Sequence, residues 1–122
     1  MAQDRGDDLA GIVRPLASLA SKSEKAQSKL AAGTWQHTML QEDLAALRIG
    51  LALLDPDKED PGRFARGELL AALAALDAMA TRTEAALARF LPGTPQHTLQ
   101  SRRLKALAAA TAAVRARCGG AR

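Results

Sequence analysis

Apolar side chains recur along this chain three and four positions apart. Leu9, Ile12, Val13, Leu16, Leu19 and Ala20 mark one stripe that continues to Leu30. Leu40, Leu44, Leu47, Leu51 and Leu54 mark a second. A third runs through Leu69, Leu73, Leu76, Met79, Leu87 and Phe90, and a fourth through Leu104, Leu107 and Val114. This spacing gathers apolar groups on one side of an α-helix, so the pattern predicts four amphipathic helices.

The stripes repeat. Gly33-Thr34-Trp35-Gln36-His37-Thr38 returns 60 residues later as Gly93-Thr94-Pro95-Gln96-His97-Thr98, with one difference. Upstream, Leu9, Val13, Leu16, Leu19 and Ala20 align with Leu69, Leu73, Leu76, Met79 and Ala80, and Ser21-Lys22-Ser23-Glu24 with Thr81-Arg82-Thr83-Glu84. Downstream, Leu44, Ala46, Leu47 and Ala52 align with Leu104, Ala106, Leu107 and Ala112 without a gap. The match reads as an internal duplication of one helical hairpin.

The hairpin turns can be read from their chemistry. Gly33 and Gly93 suit the left-handed position that closes a helix. Thr34 and Thr94 can accept from the free amides that open the next helix. Pro95 then falls on the first helical position, where a missing N–H does no harm. Between the copies, Asp55-Pro56-Asp57-Lys58-Glu59-Asp60-Pro61-Gly62 is a polar breaker, with Asp60 as the expected start of the third helix. Pro15 should kink the first helix or delay its start to about Arg14.

These readings predict an all-α protein, an up-down-up-down four-helix bundle of two repeated helical hairpins. The chain of 122 residues forms one domain, with repeat 1 over about 7–54, a linker at 55–62, repeat 2 over about 63–114 and a frayed tail at 115–122. Gln100 and Thr111 stand where the first copy has Leu40 and Leu51, which predicts a looser second hairpin that leaves a groove for a partner helix. Composition agrees with helix, since alanine and leucine dominate and there are only two Phe, one Trp and no Tyr. No stretch approaches the ~20 apolar residues of a membrane span. The lone Cys118 cannot make an internal disulfide, and a cytoplasmic location follows as the default. The Ala- and Arg-rich composition suggests a bacterial source.

Charge divides the chain unevenly. Residues 1–60 carry seven basic and ten acidic side chains, residues 61–122 ten basic and three acidic. Arg102, Arg103 and Lys105 lie in the half where no acid follows Glu84. Such a face could meet an acidic protein or the phosphates of nucleic acid, but no finger or helix-turn-helix signature and no aromatic interleaving supports sequence-specific reading.

The paired tips are the other candidate. His37 and His97 continue the buried stripes of their helices, beside Gln36, Gln96, Thr34 and Thr94. Two helix N-termini could hold an anion there. Two histidines without an adjacent Cys or acid make an incomplete metal set, so no metal and no cofactor is assigned. Trp35 is a natural partner anchor if exposed, although it could fold over Leu91 and Pro92. No phosphate loop, nucleophile elbow or paired-carboxylate pattern marks an enzyme. The expectation is a non-catalytic helical protein-interaction module that binds a protein partner or itself. A basic accessory protein for nucleic acid and a small metal or anion sensor built on the histidines are the alternatives.

Overall fold

The computed structural model describes the backbone of residues 2–54 and 64–120 and the side chains of residues 9–54 and 64–118. Four helices follow one another: α1 (Ala2–Ser28), α2 (Trp35–Leu54), α3 (Arg66–Leu87) and α4 (Pro95–Gly120). No strand occurs among the described residues. The linker at 55–62, with Asp60, lies outside them.

The turns follow the chemistry of their sequence. Gly33 and Gly93 both sit at φ 91°, a left-handed conformation that costs a side-chain-bearing residue energy. The Thr34 hydroxyl accepts from the His37 amide at 3.2 Å, and the Thr94 hydroxyl from the His97 amide at the same distance. Each hydroxyl also donates backwards, Thr34 to the Ala31 carbonyl and Thr94 to the Leu91 carbonyl. The two turns thus share one hydrogen-bond scheme, and exposure agrees position for position over 21–30 and 81–90.

Other helix ends depart from expectation. α1 starts at Ala2 and continues through Pro15. Proline removes one N–H and crowds the carbonyl four residues earlier. That residue is Gly11, which is exposed, and a Cβ built on it would meet no atom beyond its own helix backbone. α3 opens at Arg66 after Ala65, beyond Asp60. Its end is closed from inside, the Ala65 amide donating to Glu68 Oε1 at 2.9 Å. α4 runs on to Gly120, past the 115–122 boundary of the expected tail, and Cys118 packs against the core. Leu30 and Phe90 leave the buried stripe: α1 ends at Ser28 and α3 at Leu87, and the turn carries both side chains outward to the same 36% exposure.

The helices form a compact bundle. α1 packs on α2, α2 on α3, α3 on α4 and α4 on α1. Of the two diagonals, α2 meets α4 directly while α1 and α3 scarcely touch. Matched positions fill the centre: Leu16 and Leu76, and Leu47 and Leu107, are all without solvent exposure. α2 and α4 come close at another matched pair, where a Cβ built on Gly50 would lie 3.0 Å from the Cβ of Ala110. Only small residues permit that approach. Of the two polar positions expected to loosen the second hairpin, Thr111 is buried and Gln100 is half-buried beside a cavity described below.

Candidate functional site

The tips bring their polar residues into parallel arrangements. His37 and His97 are half-buried, Gln36 and Gln96 exposed. Thr34 and Thr94 are used as caps, and the Gln27 side-chain amide donates to the His37 carbonyl at a long 3.4 Å. The imidazoles make no hydrogen bond or ion pair among the described residues. No group of three His, Cys, Asp or Glu side chains among those residues is placed to hold a metal. Trp35 does not fold over Leu91 and Pro92; it is 69% exposed, and Leu91 is 75% exposed.

Among the cavities bordered by described residues, two lie farther down the bundle, and none of these tip residues lines either. The larger, about 510 Å³, is a groove between α2 and α3. Its walls are alanines of both helices with Ile49, and Glu42, Glu68 and Arg82 stand along it. This groove falls between α2 and α3, away from Gln100, which borders the smaller cavity instead. Alanine explains it: side chains this short leave the space between two helix backbones unfilled.

The smaller cavity, about 350 Å³, draws on all four helices. Ser23 of α1, Leu40 of α2, Thr83 of α3 and Gln100 of α4 border it. Both cavities share Asp43 and Arg82. Asp43 Oδ2 accepts from Arg82 Nη2 at 2.7 Å, joining the first hairpin to the second. The Asp43 side chain is 8% exposed and that of Arg82 49%. Burial of the carboxylate pushes the Asp43 pKa above its ordinary value, against the opposing pull of the Arg82 guanidinium and its hydrogen bond.

A folded state that holds this proton more tightly than the unfolded chain loses stability as pH rises through the window between the two pKa values. Wild-type protein should therefore lose stability relative to Asp43→Asn as pH climbs from about 4 through the raised value. Urea unfolding of both proteins across that range measures it, and a wild-type gain over the same range would contradict it. Arg82→Ala strands the carboxylate and should cost about 1–3 kcal/mol at neutral pH.

The basic residues of α4 are placed differently from one another. Arg102 and Lys105 are exposed, while Arg103 is half-buried and borders the smaller cavity. None makes an ion pair or hydrogen bond among the described residues. The sequence reading missed Asp43, although an acid directly before Leu44, with Arg103 standing 60 residues later before Leu104, was a visible signal. No helix is long and apolar enough to cross a membrane among the described residues. The described residues define a four-helix bundle with open cavities between its helices. No protein-family model, curated protein or solved structure matches the chain.

Proposed function

We propose that this chain is a non-catalytic helical interaction module, made by doubling one hairpin, arranged up-down-up-down, and working in the cytoplasm. The observation that carries the reading is the alanine-walled groove between α2 and α3. A groove of this kind accepts a helix whose own contact side chains are small. The acids Glu42 and Glu68 along it favour a basic helix. α4 of a second copy has that character, with exposed Ala108 and Ala112 following exposed Arg102 and Lys105. Trp35 and Leu91 add exposed apolar surface at the tips.

Light scattering over a concentration series tests this. Wild-type mass should rise with concentration. Ala78→Arg places a cation and bulk in the groove from an exposed helical position and should weaken association about tenfold or more. Trp35→Ala should leave the helical signal unchanged. A wild-type protein that stays monomeric at the highest concentration ends the self-associating form of the reading.

One observation favours a second reading, a basic accessory protein for nucleic acid. Arg102 and Lys105 are exposed and unpaired among the described residues. Binding to a random duplex that fades with added salt would support it.

A further inference from the structure

The two seams between the hairpins use matched positions but opposite charge logic. On the α2–α3 seam, Asp43 and Arg82 form an ion pair. At the 60-residue offset, Arg103 of α4 corresponds to Asp43 and Lys22 of α1 to Arg82. The α1–α4 seam therefore carries two cations where the other carries a pair. Neither cation has an ion pair or hydrogen bond among the described residues. Arg103 Nε is shut off from solvent and without a hydrogen-bond partner among the described residues.

Both cations line the 350 Å³ cavity, whose depth is formed by Leu107 and Met79, 0% and 6% exposed, with Leu19 and Leu40 alongside. Arg82 is there too, but Asp43 already answers its charge. The cavity thus combines an apolar interior with two uncompensated cations nearer the surface. Its size lies within the range of small-molecule sites, about 300–1,000 Å³.

We propose that this cavity binds a small monocarboxylate with a short apolar body. Its carboxylate lies between Lys22 and Arg103, supplying the charge that Asp43 supplies on the other seam. Charge-assisted hydrogen bonds to the ammonium and guanidinium hold the head. The apolar body covers Leu107 and Met79, which a bare inorganic anion cannot do. Binding ties α1 to α4 as the ion pair ties α2 to α3, so the ligand stabilises the bundle.

The test uses the full chain and hexanoate, at constant ionic strength, with acetate, 1-hexanol and inorganic phosphate as comparisons. Hexanoate should raise Tm saturably and shift the Arg103 Nε–Hε NMR resonance. Acetate, hexanol and phosphate should each do so far less, because each lacks the head or the body. Lys22→Gln, on the exposed side of α1, should weaken hexanoate about tenfold, the loss of one hydrogen bond to a charged group. Arg103→Asp should raise Tm without ligand, by pairing with Lys22, and abolish the response to hexanoate. Should that variant not fold, Lys22→Asp makes the same pair from the exposed side. The proposal is overturned if hexanoate gives no shift up to its solubility limit or binds Lys22→Gln as tightly as wild type. It is also overturned if hexanol or phosphate works as well.

Discussion

A leucine at position 50 should force α2 and α4 apart and destabilise the protein by about 3 kcal/mol, at the upper end for an overpacked core. The Cβ alone would stand 3.0 Å from that of Ala110, and the remaining three carbons have no space between the two central helices. Neither partner can rotate away, since Ala110 has only its Cβ and is fully buried. Gly50→Ala is the informative intermediate. It gains about 1 kcal/mol of helix propensity and loses to the close contact. Combining it with Ala110→Gly moves the gap to the other helix and should recover most of the loss. Urea unfolding followed by circular dichroism reads all three, and a Gly50→Leu protein as stable as wild type would show that the helices do not meet there.

Leu47→Ala and Leu107→Ala form the second expectation. Both leucines are without exposure and occupy matched places on the central helices. Each truncation removes transfer energy and leaves a cavity, for a loss of about 2–5 kcal/mol. At about 3–5 °C per kcal/mol for a domain of this size, Tm should fall by roughly 6–25 °C. Leu30→Ala, at a position 36% exposed, should change stability by less than about 0.5 kcal/mol. Losses that differ widely between Leu47 and Leu107 would mean that the two central helices are packed differently.

Much of the fold was legible because helices and turns are local. The three-and-four spacing identified four helices, and glycine followed by threonine located both turns, with Gly33 and Gly93 left-handed and both threonines capping. The spacing failed where neighbours decide. It extended the first and third stripes to Leu30 and Phe90 because periodicity does not show where a turn lifts the chain off the core. Of the two outcomes expected at Pro15, the delayed start does not occur, since α1 already runs from Ala2 and passes through the proline. The start of α3 was missed because Glu68, within the helix, serves as the cap in place of a side chain before it.

The candidate site was less legible still. Periodicity names the face a helix buries but not which helices share a seam. The groove follows from alanines on α2 meeting alanines on α3, and neither set is unusual alone. The Asp43–Arg82 pair spans 39 residues, and nothing local links its members. The histidines stood out because they repeat, yet what repeats in structure is their backbone amide on a threonine hydroxyl.

The twin turns form one interchangeable joint. Its backbone is closed with proline after Thr94 and with an indole after Thr34, under the same bonding. The joint therefore makes no demand that only tryptophan can meet. The choice at 35 belongs to whatever surrounds that end of the molecule, and the ring can be exchanged there without rebuilding the corner beneath it.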